Sequence, residues 1–95
     1  MTYADEYEVV GYTGGKKGRD VNAIIWQCKV PNGNTFNVTP KNITYAERYL
    51  IYKKASTNDG FNKLYSGRMM TVEYEDLSND NVPLRAKSIG FRDHL

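Results

Sequence analysis

The residues of this chain best suited to chemistry are cations that stand in stretches with few acids. The densest group follows a predicted first strand and reads Gly14-Gly15-Lys16-Lys17-Gly18-Arg19. Glycines allow a backbone to approach a ligand closely, and Lys and Arg neutralise phosphates. The loop is therefore a candidate phosphate contact, and the alternative interpretation is a solvated turn. Arg85, Lys87 and Arg92 form a second basic group near the carboxyl end.

Autonomous catalysis is not expected from the remaining residue types. His94 is the one histidine and Cys28 the one cysteine, so neither a His/Cys cluster nor an intrachain disulfide can form. The acids Asp5, Glu6 and Glu8 have no metal-ligand spacing and are interpreted as a solvated strand start. A single cysteine favours a reducing, intracellular setting. No apolar run approaches the roughly 20 residues of a membrane helix, so no membrane partner is expected.

The amino-terminal half has the pattern of three strands. Glu8–Tyr12 is rich in β-branched and aromatic residues, and Ala23–Val30 follows the glycine-rich loop. Asn32-Gly33 is a favoured hairpin turn, after which Thr35–Val38 returns as the third strand. Among the aromatic residues, Trp26, Phe36 and Phe91 alternate with aliphatic ones, and with Tyr12 they could instead stack on bases; core packing is the preferred interpretation.

The pattern then changes to a helical period. Thr44-Tyr45-Ala46-Glu47 fits a capping box that starts a helix. Tyr45, Tyr49 and Tyr52 recur at spacings of four and three residues, which predicts one aromatic face packed on the sheet. Another face would carry Arg48, Lys53 and Lys54, and Asp59-Gly60 would end the helix.

Two further strands complete the chain. In Arg68–Glu75 the apolar side chains Met70, Val72 and Tyr74 alternate with polar ones, as in a half-buried strand. A polar turn follows, and Pro83 can begin the last strand, which is expected to run from Leu84 to Phe91. The predicted order is three strands, a helix and two strands. An open sheet and a five-stranded barrel can both have this order.

The carboxyl-terminal strands also carry a family resemblance. They read Gly67-Arg-Met-Met-Thr-Val-Glu-Tyr-Glu-Asp-Leu-Ser78, a polar turn, and Pro83-Leu-Arg-Ala-Lys-Ser-Ile-Gly-Phe-Arg-Asp93. This layout resembles the end of ATP-dependent DNA ligases, in the oligonucleotide-binding (OB) domain that follows their catalytic domain. The run from Asp5 to Gly11 resembles the start of that domain. Ala86-Lys87-Ser88 replaces the usual aromatic-Pro-Arg run, and Asp93-His94-Leu95 differs from the usual ending.

The resemblance implies an all-β fold, a five-stranded Greek-key OB barrel with one helix between strands 3 and 4. Residues 1–95 would be a single OB domain without the nucleotidyltransferase domain. Those ligases form lysyl-AMP at a Lys-x-Asp-Gly motif; the nearest approach here is Asp59-Gly60, and Thr57 stands where the lysine would be. The isolated domain would therefore be no enzyme and bind no cofactor itself, whereas the parent ligase would use ATP and Mg.

The resemblance also implies how the domain acts. It would clamp nicked duplex DNA, and complete the adenylation site of a separate nucleotidyltransferase domain, in DNA repair or replication. Arg85 and Arg92 match the family's last phosphate-handling motif. A monomer is expected, in the cytoplasm or nucleoid, from a phage, viral or bacterial ligase. The DNA-binding candidates are Lys16, Lys17, Arg19, Arg85, Lys87 and Arg92.

Two other classes of function stay open at this point. A stand-alone OB module could bind single-stranded nucleic acid or a protein partner, because OB folds serve many activities. The equivalent domain of an RNA ligase or an RNA-capping guanylyltransferase shares the phosphate-handling motif. The Leu-Ser, turn, Pro-Leu-Arg layout favours DNA ligase over both.

Overall fold

The computed structural model describes residues 2–15, 18, 21–41 and 43–91. Five strands make the main sheet: β1 Tyr3–Gly14, β2 Ile24–Lys29, β3 Thr35–Pro40, β4 Met69–Tyr74 and β7 Lys87–Phe91. Two helices, α1 Tyr45–Ser56 and α2 Gly60–Leu64, lie between β3 and β4 in the chain. Two short strands, β5 Asp76–Leu77 and β6 Pro83–Leu84, pair only with each other. No helix in this part of the chain is long and apolar enough to cross a membrane.

The main sheet closes on itself in the order β1-β2-β3-β7-β4. The twelve-residue β1 closes one side, because its second half pairs with β2 and its first half with β4. The other side closes through β3 and β7, which are parallel, while every other neighbouring pair in the barrel is antiparallel. The predicted strand order is therefore confirmed, and the described sheet forms a closed barrel rather than an open sheet.

The interior of the barrel follows the alternation expected from the sequence. Met70, Val72 and Tyr74 of β4 are buried, with the polar residues between them more exposed. Trp26 and Phe36 are also buried, 3% and 8% exposed, which confirms them as core residues rather than surface stacking platforms. Phe91 and Tyr12 are half-buried and pack against this core. Burial raises the pKa of the Cys28 thiol to about 12, so the thiol is neutral within the core.

Two local predictions about turns and caps have clear outcomes. The Thr44 hydroxyl accepts a hydrogen bond from the Glu47 N–H at 3.1 Å, so the N-cap of α1 is confirmed. The β2–β3 hairpin is also confirmed, but Val30 N–H donates to the Asn34 carbonyl at 2.9 Å. The connection therefore spans three residues, with a positive φ of 98° at Gly33, instead of a two-residue turn.

The segment predicted as one helix forms two. Asn58 and Asp59 both adopt left-handed backbone angles, with φ of 52° and 60°, which end α1 and redirect the chain. Gly60 then begins α2 against the end of α1, where a Cβ would overlap the carbonyl oxygen of Lys54. Asp59-Gly60 thus marks the end of the first helix, as predicted, and also the start of a second.

The prediction that the aromatic face of α1 packs on the sheet is wrong in part. Tyr45 and Tyr49 are 39% and 38% exposed, and the buried residues of the helix are Arg48 and Ala55. Arg48 donates from its guanidinium to the Ile24 carbonyl at 3.2 Å, where β2 begins. The methylene groups of an arginine can cover apolar surface while its guanidinium donates to a buried carbonyl. Arg48 therefore lies on the side of α1 that faces the barrel. Tyr52 is half-buried and contacts Tyr12 edge to face.

We expect Gly60→Ala to lower the free energy of unfolding by about 3 kcal/mol, because the added methyl group must push α2 away from α1. Gly67→Ala is the matched control: its Cβ would meet nothing, and only its positive φ of 81° opposes alanine. That control should cost about 1 kcal/mol. Urea denaturation measures both, and equal losses would contradict the close contact of the helices.

Candidate nucleic-acid interface

The structure describes two of the six residues predicted to bind DNA. Arg85 lies between β6 and β7, and Lys87 is the first residue of β7. Lys16, Lys17, Arg19 and Arg92 lie outside the described residues, so their predicted roles stay predictions. The site is therefore built from Arg85 and Lys87 and from the residues around them.

Both side chains line one cleft of about 390 Å³ on the outside of the barrel. The cleft combines three cations with two carboxylates and one aromatic ring. Its lining consists of Thr2, Lys41, Glu73, Tyr74, Glu75, Arg85 and Lys87. A cleft with several cations suits an anionic ligand such as a phosphate.

The sheet register determines which side chains meet in this cleft. In the antiparallel β4–β7 pair, Lys87 stands opposite Glu73. In the parallel β3–β7 pair, Lys87 stands opposite Thr39, and the Lys41 N–H donates to the Ser88 carbonyl at 2.9 Å. β7 therefore places Lys87 between Glu73 of β4 and the end of β3, beside Lys41.

Two of the three cations already have partners. Lys41 Nζ lies 2.9 Å from a Glu73 carboxylate oxygen, and an Arg85 guanidinium nitrogen lies 3.1 Å from Glu75. Ion pairs this exposed contribute little stability, so a phosphate can replace the carboxylate as partner at small cost. Among the described residues, no hydrogen bond or ion pair joins the Lys87 ammonium to another side chain.

Arg85 reaches solvent because of its backbone conformation. Its φ is 53°, in the left-handed region that arginine rarely adopts, and its side chain is 79% exposed. This residue breaks what the sequence predicts as one strand from Leu84 to Phe91 into β6 and β7. The break turns Ala86 into the core, 8% exposed, and leaves the Arg85 guanidinium in the cleft. Strained backbone of this kind is common at binding sites.

Lys41 is the one cation among the described lining residues of the cleft that the sequence did not single out as a site residue. It lies far from Arg85 in the sequence, and only the parallel pairing of β3 with β7 brings the two together. The local signal was weak: Lys41 comes three residues after the predicted strand Thr35–Val38, in a stretch with few acids.

The base of the glycine-rich basic loop is among the described residues, although its three cations are not. Gly15 forms a bridge with Val21, and its N–H donates to the Ala23 carbonyl at 3.2 Å. The neighbouring Gly14 lies against the ring of Tyr52, so that the base of the loop is beside α1. The three cations of this loop remain candidates on sequence grounds alone.

Comparison with known proteins relates the chain to DNA ligases. It is 47% identical over 91 residues to DNA ligases of African swine fever virus, in both a tick isolate and a warthog isolate. The match covers 95% of this chain and 22% of each viral ligase. The chain therefore spans about a fifth of the length of these relatives. No protein-family model matches it.

Solved structures share the fold. A structure of Lig E DNA ligases aligns with 97% of this chain and 31% of its own, at a TM-score of 0.65 and 17% identity. The Chlorella virus DNA ligase–adenylate aligns with 99% of this chain and 32% of its own, at a TM-score of 0.67 and 15% identity. Together with the viral sequences, these matches confirm the resemblance to ATP-dependent DNA ligases.

We expect Arg85→Gly to raise the free energy of unfolding by about 1 kcal/mol, because glycine adopts a positive φ without strain. Arg85→Ala removes the same side chain but keeps a Cβ, so it should show no such gain. Thermal and urea denaturation of the two variants measure the difference. A loss of stability in Arg85→Gly that exceeds the loss in Arg85→Ala would show that φ is not strained there.

Proposed function

We propose that residues 1–95 are the OB domain of an ATP-dependent DNA ligase and act as a monomer beside a separate nucleotidyltransferase domain. In this proposal the domain clamps nicked duplex DNA through phosphate contacts, and completes the adenylation site of its partner. ATP and Mg would be bound by the parent enzyme. The setting would be intracellular, in a virus-encoded ligase.

The observation that carries the proposal is the 47% identity to viral DNA ligases along nearly the whole chain. Sequence identity at this level is more specific than a shared fold, because one fold can serve many functions. The proposed name of the fold rests on the closed order β1-β2-β3-β7-β4, with both helices inserted between β3 and β4. A five-stranded barrel with a helical segment at that point is the arrangement of OB domains.

The cleft supports the clamping role. Lys41, Arg85 and Lys87 present three cations at one place on a rigid barrel, where they can contact a duplex backbone. Contacts to phosphates position DNA without reading its bases, as a ligase that seals nicks in any sequence requires. The buried positions of Trp26 and Phe36 count against the alternative of a single-strand binder that stacks bases on those two rings.

The ion pairs in the cleft suggest how the contact is made. Glu75 holds the Arg85 guanidinium near the cleft in the absence of DNA, and a phosphate takes its place when DNA binds. The guanidinium can then direct two N–H donors at one phosphate, a geometry that Lys41 and Lys87 lack. Arg85 would therefore orient the duplex, while the lysines add attraction.

We expect the chain to bind nicked duplex DNA more tightly than a single strand of equal length, with an affinity that falls steeply with salt. Arg85→Gln should weaken binding about tenfold, as expected for one charge-assisted phosphate contact. Lys87→Gln should reduce the slope of log K against log salt by about 1. Glu75→Gln should strengthen binding, because it removes a competing carboxylate. Fluorescence anisotropy across a salt series measures all four.

Lys63→Gln is the control for these variants, because Lys63 is an exposed cation of α2 that does not line the cleft. It should change affinity only slightly. Equal losses of DNA affinity in Lys63→Gln, Lys87→Gln and Arg85→Gln would show that DNA is bound by general charge attraction and not at the cleft. A clear preference for single strands would contradict the ligase assignment.

The second role is tested with a nucleotidyltransferase domain of the matching viral ligases that lacks its own OB domain. Adding this chain should raise formation of the lysyl-AMP adduct, measured with labelled ATP, and Arg92→Ala should lower that gain. Arg85→Gln tests whether the cleft contributes to the same step. No gain from the added chain would rule out completion of the adenylation site and leave DNA binding to be judged separately.

A further inference from the structure

A second groove, distinct from the cleft, lies between the outer face of α1 and the start of β2. It has a volume of about 490 Å³, within the range of small-ligand sites. Its lining shares no residue with the cleft of Lys41, Arg85 and Lys87. The groove is lined by Val21, Asn22, Tyr49, Tyr52, Lys53 and Ser56.

Each polar side chain described in this groove can donate a hydrogen bond. The described residues that line it supply one ammonium, two phenol hydroxyls, one serine hydroxyl and one amide, and none of them is a carboxylate. Lys53 makes no ion pair among the described residues. Glu47, the acid of α1, stands two residues before Tyr49 and therefore on the far side of the helix. The groove is thus complementary to an anion.

The same face presents aromatic rings to solvent. Tyr49 is 38% exposed, and its ring centroid lies 6.2 Å from that of Tyr45, which is 39% exposed. The guanidinium of Arg48 lies 5.1 Å from the centre of the Tyr45 ring. Lys53 follows Tyr49 by about one helical turn, so that their Cα atoms stand about 6 Å apart along the axis on the same side of the helix. These are the rings that the sequence predicted to be buried.

We propose that this groove binds unpaired nucleotides of a DNA strand adjoining the nick, with a base on the Tyr49 ring and its phosphate at Lys53. Stacking on aromatic rings combined with lysine contacts to phosphate is the common chemistry of single-strand binding. Duplex DNA cannot present an unstacked base to Tyr49, and an acidic protein surface would pair with Lys53 without making use of the aromatic ring. The proposal rests on the proposed binding of nicked DNA and adds a second, strand-specific contact to it.

The test compares a nicked duplex with the same duplex carrying a flap of five unpaired thymidines at the nick. The full chain should bind the flapped DNA about fivefold more tightly than the nicked duplex, as one stacked base contributes. Tyr49→Leu and Lys53→Gln should each abolish this gain and leave affinity for the plain nicked duplex unchanged. Lys54→Gln removes a cation one residue away that does not line the groove, and it should keep the full gain.

The possible outcomes test the groove proposal separately from the proposed ligase function. Equal binding of flapped and nicked DNA by the unaltered chain would overturn the groove proposal, and so would a gain that survives both variants. Loss of plain duplex binding in Tyr49→Leu, with an unchanged melting temperature, would also overturn it, because the groove would then be part of the clamp. If the chain binds free oligothymidine through Tyr49 and Lys53 but does not bind nicked duplex, the groove stands and the ligase assignment fails.

Discussion

The parallel pairing of β3 with β7 is the constraint on which the rest of this structure depends. Among the described residues two pairs form it, Thr39 with Lys87 and Pro40 with Ser88, and a further backbone hydrogen bond joins Lys41 to Ser88. Without it the sheet would have two free edges, which are prone to pair with other chains. With it the barrel closes around Trp26, and a cation from each of two distant segments reaches the same cleft.

Closure of the barrel also explains why the charged side chains of the cleft form weak ion pairs with one another. Neighbouring strands place Glu73 and Glu75 beside the cations, so the free barrel keeps its charges paired at little gain in stability. The strained backbone at Arg85 then keeps the guanidinium at the surface, where it can exchange Glu75 for a phosphate. Such exchangeable pairs suit the proposed role of binding and releasing DNA beside a catalytic partner, since tight internal pairs would resist both changes.

The sequence predicts the strands and the core well, because alternation such as that of Met70, Val72 and Tyr74 is a local property. It does not predict the inward side of α1, because the buried carbonyl of Ile24 that Arg48 satisfies is a tertiary feature. The same limit applies to the site. The motifs singled out Arg85. Its positive φ and its position beside Lys41 in one cleft depend on the register of β7, which no local sequence pattern encodes.

Backbone amide shifts of the labelled chain, followed by NMR as nicked duplex DNA is added, test most directly whether this cleft is the DNA-binding surface. If DNA binds in the cleft, the largest changes will be at Lys41, Arg85 and Lys87, together with a shift of the Arg85 guanidinium N–H signal as a phosphate replaces Glu75. Smaller changes are expected at the Asn32-Gly33 turn, which does not line the cleft. Changes confined to that turn and to α2, with the cleft signals unmoved, would contradict the account.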